Sequence, residues 1–150
     1  MEQDMNEQEL KNKLSQIEDK LTGSEQPLKN RIYLSCESEN AYEVNKFLFE
    51  QVPLRFVIAT GIDSDSCFEI LYHYAYDPLS YVVTLKAFIR DRENPSIQSI
   101  APFLPAAEWI EREIHDTLGI DIKNHPNLRR LVLADDWPEG VYPLRKEERK

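Results

Sequence analysis

The chain has 150 residues, 41% of them hydrophobic, with only 4 glycines and a formal net charge of −9. That length suits one compact domain plus an appendage, and the acidity argues against a general nucleic-acid binder, because polyphosphate would be repelled. The charge is uneven: residues 121–150 hold 7 basic and 6 acidic side chains, whereas residues 1–120 hold 11 basic and 21 acidic. No apolar run approaches membrane-spanning length. The acidic opening Met1-Glu2-Gln3-Asp4 is unlike a secretory signal, so a cytosolic protein, or one attached to a membrane through something else, is expected. Cys36 and Cys67 lie far apart with no CxxC spacing and read as buried or strand thiols, not as zinc or cluster ligands.

Leu10, Leu14, Ile17 and Leu21 recur at helical spacing and predict a polar helix within residues 1–24, with one thin apolar stripe. The stripe suits either light packing on its own domain or a short coiled-coil-like contact with a neighbour. Thr22-Gly23-Ser24 and Pro27 then read as a stop and a linker. Arg31 to Cys36 reads as a first strand. Ser38 offers an N-cap for a helix from about Glu39 to Gln51, which Pro53 closes. Leu54 to Ile62 reads as a second strand ended by Gly61 and the Asp63-Ser64-Asp65 turn.

The next two strands alternate most clearly. Phe68, Ile70, Tyr72, Tyr74 and Tyr76 point one way, and Tyr81, Val83, Leu85, Ala87 and Ile89 do the same on the following strand. The Asp77-Pro78 turn makes them an antiparallel hairpin. The tyrosine stripe reads as a sheet face covered by helices. Asp91 to Pro105 is a proline-marked loop. A helix carrying Trp109, Ile110, Ile114 and Leu118 follows, ended by Gly119. Residues 30–119 are thus an α+β domain of order β-α-β-β-β-α, a ferredoxin-like arrangement with helices on one face of a mainly antiparallel sheet.

Residues 120–150 read as an extended partner-binding tail. Pro126, Pro138 and Pro143 prevent a long helix or central strand. Yet Leu128, Leu131, Val132, Leu133, Trp137, Val141, Tyr142 and Leu144 are costly to leave wet, at about 1.5–3 kcal/mol for each full burial. The tail either folds back over its own sheet or lies on another subunit. The pairs Arg129-Arg130 and Arg145-Lys146 favour an interface, since arginine forks suit carboxylates there.

No catalytic constellation stands out. Glu111 with His115, Arg112 with Asp116, and Glu113 with Asp116 read as ion pairs on an outer helix face. A GxSxG elbow, a GxGxxG turn and a phosphate-cradling GxxxxGK[ST] are all missing. His125 before Pro126 reads as a structural hydrogen-bonding residue, with proton relay the lesser option. A small enzyme using Glu111, His115 and Asp116, or an assembly factor, are readings of other classes.

Glu111-Arg112-Glu113-Ile114-His115-Asp116-Thr117-Leu118-Gly119-Ile120, then His125-Pro126-Asn127-Leu128-Arg129-Arg130, Asp136-Trp137 and Pro143-Leu144-Arg145-Lys146 resemble the signature of the 30 kDa subunit family of respiratory complex I. Complex I is the NADH-quinone oxidoreductase, or NADH dehydrogenase, of the respiratory chain, and energy-converting [NiFe] hydrogenases have a homologous subunit. The resemblance covers roughly residues 30–146. It implies an α+β domain whose extended segment wraps a large catalytic subunit, with a small iron–sulfur subunit as a further partner, on the cytoplasmic side of the membrane. It implies no cofactor on this chain: iron–sulfur clusters and the nickel–iron or quinone site belong to neighbouring subunits. The residues it marks for the partner interface are Glu111, Arg112, Glu113, Asp116, His125, Pro126, Leu128, Arg129, Arg130, Trp137, Tyr142, Leu144, Arg145 and Lys146. The chain departs from the family at His115 and Leu118, where aromatics are usual, and at Asn124, where glycine is frequent. Asn127 replaces a frequent aspartate, and Glu147-Glu148 an Asp-aromatic-Pro ending. The Trp137-to-Pro143 spelling and the short length are nearer the hydrogenase-type branch.

Overall fold

The computed structural model describes residues 4–146. Its first helix, α1 (Glu7–Ser15), begins with a reciprocal cap: Asn6 accepts from the Glu9 amide and the Glu9 carboxylate accepts from the Asn6 amide. It is much shorter than the stripe suggests, because a 3₁₀ turn at Glu18–Lys20 takes over. The stripe is nonetheless deep in the molecule, with Leu10 wholly buried and Leu14 and Ile17 nearly so. This N-terminal segment is thus built into the core, and the Tyr76 hydroxyl fastens it by accepting from the Met5 amide at 2.6 Å.

A five-stranded sheet follows. It comprises β1 (Gly23–Leu28), β2 (Arg31–Glu37), β3 (Arg55–Asp63), β4 (Phe68–Tyr76) and β5 (Tyr81–Ile89), in the spatial order β1-β2-β5-β4-β3. All pairs are antiparallel except the central β2–β5 pair. The parallel pair follows from the long return through α2 (Ser38–Glu50), which carries the chain from β2 to the far edge. The expected class and the β-α-β-β-β-α order hold. The segment expected as a linker is instead β1, an exposed edge strand. Its Pro27 sits where the β1–β2 register shifts between Glu25 and Leu28, a place that needs no ladder donor.

The alternation on β4 and β5 sorts the two sheet faces as expected: Phe68, Ile70, Tyr72, Tyr74 and Tyr76 point into the core, together with Tyr81, Val83, Leu85, Ala87 and Ile89. Inside, the Tyr74 hydroxyl donates to Asn45 on α2 at 2.7 Å, so the buried phenol has its partner. The loop after β5 holds a short strand, β6 (Ser96–Gln98). It pairs in parallel with β7 (Asp121–Lys123) on the other side of α3 (Glu108–Leu118). Both strands are too short for a periodicity to show.

Two glycines locate α3. Gly119 adopts φ +70 and ends the helix, as expected of a left-handed C-terminal residue. Gly61 does not end its strand; β3 runs on to Asp63, and α3 lies directly across Gly61. A Cβ at Gly61 would stand 2.7 Å from Leu118 Cδ1 and 3.3 Å from Ile114 Cγ1, so the bare backbone is what lets helix and strand approach. Asn124 takes φ 58, a conformation asparagine tolerates, at the position where the resembled family often has glycine.

Gly61→Ala is therefore expected to push α3 off β3 and lower stability by about 1–3 kcal/mol, measured by urea or thermal unfolding. A midpoint equal to or above that of the parent chain would show that the contact has slack.

Candidate functional site

The C-terminal ribbon, residues 124–146, runs along α3 and reaches the β3 and β4 ends of the sheet with Arg145 and Lys146. Its docking is made by the helix's charged side chains. Arg112 donates through Nε to the Arg129 carbonyl at 2.9 Å and through Nη2 to the Arg130 carbonyl at 2.8 Å. One turn on, the Asp116 Oδ2 accepts the amides of Leu131, Val132 and Leu133 at 2.8, 2.9 and 3.2 Å. Consecutive ribbon residues from Arg129 to Leu133 are thus gripped by their peptide groups. Hydrogen bonds to charged groups contribute about 1.5–3 kcal/mol each, though not additively.

Glu111 works on the other side of the helix. Its carboxylate accepts from the Ser99 hydroxyl at 2.6 Å and the Ile100 amide at 2.8 Å, which ties the β6 loop to α3. The His125 ring lies 3.7 Å away. That imidazole is completely covered. Its Nε2 faces the Glu108 carbonyl at 2.9 Å and its Nδ1 accepts from the Asn127 amide at 3.0 Å, a pattern that fixes the neutral Nε2–H tautomer. His125 is a structural hydrogen-bonding residue that starts the ribbon. His115 Nδ1 lies 2.8 Å from the Ile120 carbonyl and closes the helix end.

The ion-pair reading of Glu111/His115, Arg112/Asp116 and Glu113/Asp116 on an outer face is thereby corrected. Glu111, Arg112 and Asp116 are only 3%, 6% and 4% exposed. Arg112 and Asp116 turn to backbone groups of the ribbon, which covers their side of α3, while Glu111 turns to Ser99 and Ile100 of the loop ahead of the helix. Burial pushes the Glu111 carboxyl above its ordinary range against the opposing pull of Ser99 and Ile100. Burial pushes Asp116 up too, but the three ribbon amides outweigh it and hold the carboxyl below its ordinary value. The Asp116 grip is therefore complete at neutral pH and is lost only as the pH falls through that depressed value.

The far end of the ribbon closes on the end of the helix. The Leu144 amide donates to the Thr117 carbonyl at 3.1 Å and Arg145 Nε to the Leu118 carbonyl at 2.7 Å, satisfying carbonyls a helix terminus leaves free. The Arg145 guanidinium also covers the Phe68 and Tyr142 rings. Tyr142 occupies the space a side chain at Gly119 would need. The Lys146 amide reaches Asp63 at 2.9 Å, its ammonium reaches Asp65, and Arg92 pairs with Asp63 at 2.8 Å. Nothing in the sequence marks Asp63 as a site residue, because Arg92 and Lys146 lie 29 and 83 positions away.

Of the tail cations, Arg130, Arg145 and Lys146 find partners within this chain. Arg130 curls back to the Ala134 and Asp135 carbonyls, and the other two serve the helix end and the β3–β4 turn. Arg129 is exposed. No residue from 124 to 146 is buried as a whole. Val132 is 56% exposed, and Leu131 and Leu144 remain well exposed. Trp137 is half-buried, its indole donating to the Val141 carbonyl at 2.9 Å. Pro126 and Glu113 are exposed, and Leu128 is half-buried. The ribbon is held largely through its backbone, with Leu131, Val132 and Leu144 facing outward.

Trp109, in the first turn of α3, is 69% exposed. The signal is present in the sequence: Ile110, Ile114 and Leu118 form the i, i+4, i+8 stripe, and Trp109 lies about a quarter-turn off it. Among the described residues no group of three or more His, Cys, Asp or Glu is placed to hold a metal ion. No helix among them is long and apolar enough to cross a membrane.

Residues 34–149 match the family model described as respiratory-chain NADH dehydrogenase, 30 Kd subunit. The chain belongs to this family. It is 34% identical over 123 residues to an NADH-quinone oxidoreductase subunit of Citrifermentans bemidjiense, covering 79% of this chain and 74% of that protein. It is 44% identical over 81 residues to formate hydrogenlyase subunit 5 of Escherichia coli, covering 50% of this chain but 14% of that longer protein. The fold of this 30 Kd-family chain is also that of a chain in the membrane-bound sulfane sulfur reductase, an archaeal respiratory membrane complex. The TM-score is 0.81 at 19% identity, covering 93% of this chain and 84% of the other.

Asp116→Asn, which leaves one oxygen and no charge to hold three amides, is expected to loosen the ribbon more than the core, and Arg112→Ala to do the same. Limited trypsin digestion should cut after Arg129 and Arg130 roughly ten- to a hundredfold faster in either variant, since cleavage tracks the open population. Unchanged cleavage rates would mean that something else holds the ribbon.

Proposed function

We propose that this chain is a cofactor-free structural subunit in the hydrophilic arm of a membrane-bound, energy-converting oxidoreductase. It braces the large catalytic subunit and its small iron–sulfur partner, on the cytoplasmic side of the membrane and in contact with the membrane only through the complex. The observation that carries this reading is the ribbon itself. A segment fixed by its backbone, with Leu131, Val132 and Leu144 facing out, is a surface made before its partner arrives. Exposed Arg129, Pro126 and Glu113, with half-buried Leu128, Trp137 and Tyr142, are the interface residues that still face outward.

An energy-converting [NiFe] hydrogenase of group 4 is the preferred assembly. In formate hydrogenlyase subunit 5 the matching region is a small part of one long polypeptide. The remainder of that polypeptide is the kind of surface on which this region would dock. The second reading, the 30 kDa subunit of complex I, is favoured by the span of 74% of an NADH-quinone oxidoreductase subunit at 34% identity. In both, this chain supplies position and no reacting group.

Affinity purification of the tagged full chain from its native host is expected to recover a large catalytic subunit and an iron–sulfur subunit in equal stoichiometry. Nickel in the eluate would assign the hydrogenase, and a flavin-binding subunit the NADH-oxidising complex. Recovery of the chain as a lone monomer would contradict the reading, and substoichiometric recovery with a mature complex would make it an assembly factor.

A further inference from the structure

A notch of about 340 Å³ opens between the start of β3, the first turn of α3 and the ribbon, with Val57, Ile58, Trp109, Ile110 and Leu131 among its walls and Glu113 on its side. Three separate features build it. The β3–β4 register shifts between Phe56 and Ile58, and this bulge turns Val57 out of an edge strand, leaving it 50% and Ile58 47% exposed. Trp109 stands over the opening from the helix. Leu131 forms the third wall, and its position is set by the Asp116–amide bond of 2.8 Å. A tryptophan beside two outward β-branched residues on an unpaired sheet edge is an arrangement that lone domains avoid and interfaces use.

We propose that this notch seats an apolar side chain of the larger partner subunit, with a basic residue beside it that pairs with Glu113. The proposal rests on the reading of the previous subsection and locates its first point of attachment. The occupant is argued from three observations. The matching region of formate hydrogenlyase subunit 5 is 14% of a continuous polypeptide, so in that relative a much larger chain is held permanently beside the region at high effective concentration. The exposed Glu113 carboxylate has no hydrogen-bond or ion-pair partner among the described residues, so it is available to a cation on the incoming surface. The net charge of −9 sets two copies of this chain against each other, so a second copy is the poorer fit.

The test is quantitative recovery of the large subunit on the tagged full chain from the native host, comparing the parent chain with Trp109→Ala, Trp109→Phe and Glu113→Lys. Trp109→Ala is expected to lower recovery at least tenfold, Trp109→Phe to retain most of it, and Glu113→Lys to lower it with a sensitivity to salt weaker than that of the parent. All three should unfold within a degree or two of the parent, because neither side chain is buried. Full recovery with both Trp109→Ala and Glu113→Lys would overturn the notch while leaving the proposed function standing, since the parent still captures its partner. Failure of the parent chain itself to recover a large subunit would overturn both. A parent dimer that becomes a monomer on Trp109→Ala, with capture unchanged, would assign the notch to a second copy and likewise overturn the proposal.

Discussion

The architecture of the C-terminal third depends on α3 placing two buried charges opposite the peptide groups of a segment that has no secondary structure of its own. Arg112 takes two carbonyls and Asp116 three amides. A proline-broken ribbon cannot satisfy its backbone by laddering or coiling, and its apolar side chains give it no reason to lie on its own domain with those side chains outward. Charged side chains that bond peptide groups remove that conflict. They satisfy the ribbon's backbone at the helix and leave Leu131, Val132 and Leu144 in solvent, available for a second surface.

The same device explains how the rest of the chain serves one end of the molecule. Gly61 lets α3 sit close on β3. Glu111 binds the loop ahead of the helix, and β6 and β7 pair across it. Arg145 and Lys146 then fasten the ribbon's far end to the helix terminus and to the β3–β4 turn. Helix α3 is held by polar bonds to the ribbon and to the loop ahead of it and by apolar packing of Ile114 and Leu118 on Gly61, and these contacts position the surface around its first turn, with Trp109, the β3 bulge and Leu131. A protein that supplies position to larger neighbours needs that property more than it needs a reactive group.

Much of the fold is legible in the residues. Strict alternation in Phe68–Tyr76 and Tyr81–Ile89 marks the hairpin and its buried face, and Gly119 marks the end of α3. What stays hidden is short or long-range. β1 carries a proline and buries nothing, so neither composition nor period can mark it. β6 and β7 are too brief to show a period at all. Gly61 looks like a stop because its neighbour in space, Leu118, is 57 positions away. At the site, the charges of α3 are visible, but their i,i+4 spacing fits a solvated ion-pair face equally well. Only the path of the ribbon decides that Arg112 and Asp116 face peptide groups instead. The ribbon's cations mislead for the same reason, since Arg130 and Arg145 find carbonyls of their own chain. Trp109 is recoverable from a helical wheel, because it adjoins the buried stripe without belonging to it.

The bonds from Arg112 and Asp116 set the ribbon on α3 before any partner binds. Hydrogen exchange of the isolated full chain tests this most directly. The amides of Leu131, Val132 and Leu133 should exchange many times more slowly than those of an unstructured chain, and those of the neighbouring segment 134–136 faster than they do. Exchange of all of these amides at the free-chain rate, with slow exchange appearing only in the assembled complex, would contradict it.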